Sequence, residues 1–254
     1  MTKKGLSINQ IKLIAAVSML LDHIGYIIFP EVTILRVLGR LAFPLFAFCI
    51  AEGCRYTRNR LRYFGQMAVC AVVFQVFAFV FTGAFGFSFS LAFYIVPMNV
   101  FGSFSVGILL CYLFDFIKTR KIGGFLLFLV AIFTVYALSR YINFDYGFVG
   151  MLVPLSVYVF DQKQEKSTEP SLDLEPKAPV SNVGKWARFL CFTLALLALS
   201  AFSGWSVQYC SLFAVPILSL YNGQYGSKKY KYWFYVFYPA HFALVYLIGY
   251  LLYK

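Results

Sequence analysis

Met19-Leu-Leu-Asp22-His23-Ile-Gly25 places an acid and an imidazole side by side inside the first long apolar run, Gln10 to Phe29. The run is long enough to cross a bilayer, and the pair falls about two thirds of the way along it. An Asp at the centre of a spanning helix costs roughly 2.5–3.5 kcal/mol on insertion scales. Two adjacent ionisable groups at that depth point to a functional site facing a polar cavity. The rest of the chain reads as the container of that site.

Composition supports a membrane container. The 254 residues are 61% hydrophobic and 20% aromatic, with 30 Phe and only 13% charged residues. With several apolar runs near 18 residues, this is a polytopic membrane protein and not a soluble domain. The net charge of +12 reads as basic cytoplasmic loops meeting anionic lipid, with no nucleic-acid partner. Cys49, Cys54, Cys70, Cys111, Cys191 and Cys210 show no C-x-x-C spacing and mostly lie in apolar runs, as small buried hydrophobes do. No removable signal peptide is read, because the first apolar run is too long and lacks a small-residue cleavage site.

The expected fold class is all-α: a helical bundle of about nine transmembrane segments with a cytoplasmic N-terminus. The segments fall at about 11–29, 34–53, 64–82, 99–117, 123–139, 147–160, 187–203, 206–220 and 234–252, the sixth being short and broken by Pro154. Residues 83–97 are Gly- and Phe-rich and read as a loop or a re-entrant segment. Residues 161–185 are polar, Pro-rich and free of aromatics, so they are expected to form a disordered cytoplasmic loop within a single domain, 1–254. Alternating nine segments from a cytoplasmic N-terminus puts 18 of the 22 basic residues on the cytoplasmic side. Only Arg36, Arg40, Arg140 and Lys254 fall in the outer half or outside, a strong positive-inside bias.

Few polar side chains remain inside the spans. At about 1.5 Å per helical residue, His23 and His241 lie at nearly the same height, near the midplane. Arg36 and Arg40 stand four apart on one face of the second span. Arg36 reads as snorkelling to the outer interface; Arg40 is deeper, and Asp22 is its natural partner. Pro44 can bend that helix and free a backbone carbonyl. Glu52 is either solvated or paired with Arg55. Two His without a Cys cluster make no convincing metal set, and no P-loop, G-x-G-x-x-G or G-x-S-x-G is present.

These residues carry a resemblance. Leu13 to Gly25, Arg36-Val-Leu-Gly-Arg40-Leu-Ala-Phe-Pro44, Glu52-Gly53 with Tyr56-Thr-Arg58, Leu220-Tyr221-Asn222-Gly223 and Phe234-Tyr-Val-Phe-Tyr-Pro239-Ala-His241 together resemble the TraX family. That family is named for a conjugation protein that N-acetylates pilin, and it is similar to polytopic membrane acyltransferases that use acetyl-CoA.

The resemblance implies a multi-pass protein of the bacterial inner or plasma membrane. Its activity would be acetyl transfer from acetyl-CoA, as co-substrate and without a metal, to an amine or hydroxyl acceptor: a peptide N-terminus, an envelope sugar or a small molecule. The implied site residues are His23, His241, Asp22 and Arg40. His23 would be general base or transient acetyl acceptor. His241 would be the alternative base, or a donor to the thioester oxygen. Asp22, about 100° round the helix from His23, would pair with Arg40. Cations on the cytoplasmic side would hold the CoA phosphates: Arg55 and Arg58, with Asn222, Gly223, Lys228 and Lys229. The competing readings are a proton-coupled transporter and a non-catalytic membrane scaffold of a conjugation or secretion system.

Overall fold

The computed structural model describes residues 5–84, 99–160, 182–224 and 233–253. The ordered elements are α1 (Ile8–Ile27), α2 (Thr33–Gly39), α3 (Ala42–Tyr56), α4 (Arg60–Ala84), α5 (Val100–Ser139), α6 (Gly147–Tyr158), α7 (Asn182–Ser203), a 3-10 segment (Ser206–Phe213), α8 (Ala214–Ser219) and α9 (Trp233–Tyr253). A parallel β-bridge joins Leu6 to Tyr221. Leu6 donates to the Leu220 carbonyl at 2.8 Å and accepts from the Asn222 amide at 3.0 Å, which pins the start of α1 to the end of α8.

Seven of the described helical stretches are long and apolar enough to cross a membrane: α1, Thr33–Tyr56, α4, the two arms of α5, α7 and α9. The two shorter apolar stretches, Gly147–Tyr158 and Ser206–Ser219, stand where the sixth and eighth spans are expected. All nine apolar segments therefore occur in the expected order, in a polytopic helical membrane bundle. At about 1.5 Å per residue α6 reaches only about 18 Å. It tolerates this because most of its residues are buried within the protein, where lipid does not demand a full-length helix. The 3-10 segment rises faster, about 2.0 Å per residue, so 14 residues there reach about 25 Å.

Local sequence explains the breaks. Ser7 and Gln10 form a capping box at the start of α1, the Ser7 amide donating to Gln10 Oε1 at 2.8 Å. The second span is interrupted at Arg40-Leu41, between α2 and α3. Pro44 lies in the first turn of α3, where its missing N–H has no intrahelical partner to lose. The break thus stands in place of a bent continuous helix. The α5 segment folds back at Arg120-Lys121, whose backbone leaves the helical region, with Lys121 at φ 24°. A Cβ at Gly124 would meet the Phe116 carbonyl carbon at 2.6 Å, so only glycine lets the two arms close this tightly. Phe114 and Phe128 then pack edge to face across the hairpin, centroids 5.8 Å apart. The helix α7 begins at Asn182, a few residues before the expected end of the polar loop; residues 161–181 lie outside the described residues, as do 85–98, which hold most of the segment read as loop or re-entrant.

The axis of the bundle is α3. Twelve of its 15 residues are buried, and α1, α5, α6, the 3-10 segment and α8 all pack on it. The second arm of α5 is the opposite case: Ile122, Phe125, Leu126, Val130 and Phe133 are exposed, as expected of a peripheral helix facing lipid tails.

Candidate functional site

Asp22 and His23 leave α1 in different directions. The Asp22 carboxylate pairs with both guanidinium groups of the α2 region: Arg36 Nη1 lies 2.9 Å from Oδ2, and Arg40 Nη2 bonds Oδ1. Arg36 also donates to the Asp22 backbone carbonyl at 3.2 Å. So Arg36, expected to snorkel outward, is half of a two-arginine clamp. Gly39 makes the clamp possible, because a Cβ there would stand 2.7 Å from Asp22 Cα. Arg40 Nη1 donates to Gln208 Oε1 at 3.2 Å, and both residues are buried. The Trp205 ring lies 4.8 Å from each guanidinium, which adds cation–π attraction. Neither Gln208 nor Trp205 stood out in the sequence, though a glutamine within an apolar segment is a usable signal.

His23 points to α9 instead. Its Nδ1 lies 2.8 Å from Nε2 of His241, and the two rings are within 8° of parallel with centroids 4.8 Å apart. His241 Nδ1 lies 3.0 Å from the Phe237 carbonyl oxygen. The Phe237 ring stacks on His241 at 5.1 Å, and Tyr238 meets it edge-on at 5.4 Å. The only two histidines of the chain, 218 residues apart, are thus one hydrogen-bonded unit. Both ring nitrogens of His241 are engaged within this unit.

A cavity of about 380 Å³ lies on the α1 N-terminal side of the pair, and neither histidine lines it. Lys12, Arg58 and Arg62 line it at one level, and Met19 and Tyr238 at another. Met19 is one helical turn before His23, and Tyr238 nearly one turn before His241, so the inner end lies just below the histidines. Along α1 the lining runs about 10 Å, from Lys12 to Met19. Its middle is apolar and aromatic, with Phe46, Ile50 and Phe101.

A family model described as TraX protein matches residues 7–173, about two thirds of the sequence. The chain belongs to the TraX family. The match takes in Asp22, His23, Arg36, Arg40 and Arg58, while His241 lies beyond it. This TraX chain is also 45% identical over 40 residues to "Uncharacterized protein RP591" of Rickettsia prowazekii (strain Madrid E), 16% of each chain. Over 72 residues it is 35% identical to "Probable fimbrial assembly protein FimC, serogroup H1" of Dichelobacter nodosus, 27% of this chain and 30% of that one. The chain thus aligns with less than a third of either relative's length. No solved structure matches it.

The cations expected at the cytoplasmic rim of the TraX chain divide. Arg58 lines the cavity, joined by Lys12 and Arg62, which the sequence placed only by charge. Arg55 is turned toward Glu52, 3.7 Å away. Asn222 donates from its side chain to the Gly5 carbonyl at 3.1 Å, and the Gly223 carbonyl accepts from the Tyr56 hydroxyl at 3.4 Å. Both belong to the clasp around the N-terminus and do not line the cavity. Lys228 and Lys229 lie outside the described residues.

Two further ion pairs brace the same end. Glu52, with no exposed surface, bonds Arg188 of α7 and accepts from Tyr221 at 3.0 Å. Burial first, then the neighbouring Glu52 charge, push the Tyr221 hydroxyl well above its ordinary range, so it stays a donor. Asp115 accepts from Arg60 at 2.6 Å and from Tyr158 at 2.8 Å. Asp115 stands inside an apolar run, where an acid is a usable signal in the sequence.

Proposed function

We propose that this protein is a membrane-integral acyltransferase that moves an acetyl group from acetyl-CoA to an amine or hydroxyl acceptor in the bacterial inner or plasma membrane. The observation that carries this reading is the cavity that Lys12, Arg58 and Arg62 line together with Met19 and Tyr238, about one helical turn from His23 and His241. Phosphates need cations and a polar rim. The pantetheine arm is a slender chain suited to an apolar passage, and the thioester it carries would end where a base is held. His23 takes the proton of the acceptor as its nitrogen or oxygen bonds to the acetyl carbonyl carbon. The carbon–sulfur bond breaks, and the same proton passes to the leaving thiolate, giving the acetylated acceptor and free CoA. Asp22, clamped by two arginines, contributes by holding α1 against α2 and not by proton transfer.

Family membership supports acetyl transfer, and the similarity to a probable fimbrial assembly protein favours an acceptor in fimbrial assembly. Thermal unfolding of the detergent-purified protein with and without acetyl-CoA tests the donor. A ligand of the native state at 100 times its Kd adds about 2.7 kcal/mol. A saturating titration without any shift in Tm would exclude the donor, and with it this reading. Mass spectrometry of envelope material from cells with and without the protein then finds the acetylated acceptor.

A further inference from the structure

The hydrogen-bond chain Phe237–His241–His23 has a direction. A carbonyl oxygen only accepts, so the proton between Phe237 and His241 sits on His241 Nδ1. The other nitrogen of a neutral imidazole is then an acceptor, and in His241 that is Nε2. The proton in the 2.8 Å contact therefore belongs to His23 Nδ1. By the same rule His23 Nε2 is left as the lone pair of the pair, and among the described residues no hydrogen-bond partner engages it. Asp22 does not set this arrangement, since its carboxylate is held by Arg36 and Arg40. The near-parallel stack of Phe237, His241 and His23 rings holds the planes in which these bonds lie.

We propose that His241 is a positioning residue that fixes His23 as the Nδ1–H tautomer, so that Nε2 of His23 is the base. The proposal rests on the acetyl-transfer reading for its catalytic meaning only. In that step the acceptor's proton goes to His23 Nε2 and leaves from the same atom to the thiolate. His241 stays neutral, accepts from His23 Nδ1 throughout, and stabilises the transient imidazolium as the orienting member of a hydrolytic triad does.

Imidazole ¹⁵N NMR of the full-length protein, labelled at histidine, reads the tautomers directly because the chain has two histidines. His23→Gln assigns the signals. In the unsubstituted protein both rings should carry the proton on Nδ1. His241→Leu removes the acceptor, so His23 should move toward the Nε2–H form, and thiol release from acetyl-CoA with envelope material as acceptor should fall roughly 10²–10⁴-fold at unchanged acetyl-CoA Kd. His241→Gln offers an oxygen near the position of Nε2 and should keep the His23 tautomer and much of the rate. A His23 ring protonated on Nε2 in the unsubstituted protein overturns the proposal, and that spectrum decides even if His241→Leu does not fold. A His23 tautomer indifferent to His241→Leu overturns it as well. Tautomers as expected without any acetyl transfer would sink the enzyme reading and leave the tautomer assignment standing.

Discussion

Glu52 of α3 is wholly buried, and its carboxylate is bonded by Arg188 of α7 across 136 residues of sequence. Removing one member of such a pair leaves a buried charge without its partner, which costs about 3–5 kcal/mol. Arg188→Leu is therefore expected to lower Tm sharply, with Arg55, 3.7 Å away, making up only part of the loss. Glu52→Gln combined with Arg188→Leu should recover much of the stability, since both charges are then gone. A double variant no more stable than Arg188→Leu alone would show that the arginine acts through packing over Phe48 and not through its charge.

Gly39 and Gly65 should answer alanine oppositely. At Gly39 the added methyl collides with the Asp22 backbone and side chain, separating α1 from α2 and loosening the two-arginine clamp. Overpacking of this kind costs about 1–3 kcal/mol or more. At Gly65, inside α4, nothing lies within 4 Å of the new Cβ, and a helix interior gains up to about 1 kcal/mol from Gly→Ala. Thermal unfolding of the two variants checks the sign of each.

Neutralising the cavity rim should affect binding and spare chemistry. Arg58→Gln with Arg62→Gln removes two cations from the lining. Charge-assisted hydrogen bonds contribute about 1.5–3 kcal/mol each, so the acetyl-CoA Kd is expected to rise at least roughly tenfold while kcat changes little. Calorimetric titration at two salt concentrations should also show a weaker salt dependence in the variant. An unchanged Kd would move the donor site elsewhere.

His23→Ala should show the converse: kcat down roughly 10²–10⁴-fold, the usual worth of general acid–base catalysis, with acetyl-CoA affinity nearly intact. His23→Gln should not rescue the rate, because an amide takes part in hydrogen bonds without accepting a proton. A His23→Gln enzyme of near-normal rate would remove the histidine from catalysis.

The hairpin of α5 gives a topology test. Ile122, 77% exposed beside the turn, and Asn143, exposed beyond the second arm, lie at opposite ends of a 21-residue apolar helix. A cysteine at 122 should react with an impermeant maleimide from the cytoplasmic side, and one at 143 from the other side. Reaction of both from one side would show that Thr119–Ser139 does not cross.

Much of the fold was legible because lipid imposes it. A chain in hydrocarbon must satisfy its backbone within each segment, so apolar run lengths located the helical segments in chain order. The midplane polar residues were legible for the same reason, since an isolated charge there is too costly to stand without a role. Position along a helix also showed that Asp22 and His23 face different neighbours and that the two histidines share a height. Sequence spacing carries no information about rotation or tilt between helices, and those angles are set by side-chain packing. Only the tertiary structure therefore decided that a ring nitrogen of His23 meets one of His241 and that Arg36 joins Arg40 on Asp22. The same packing turned Arg55 toward Glu52 while Arg58 and Arg62 line the cavity, and it brought Arg188 of α7 to a buried acid on the central helix.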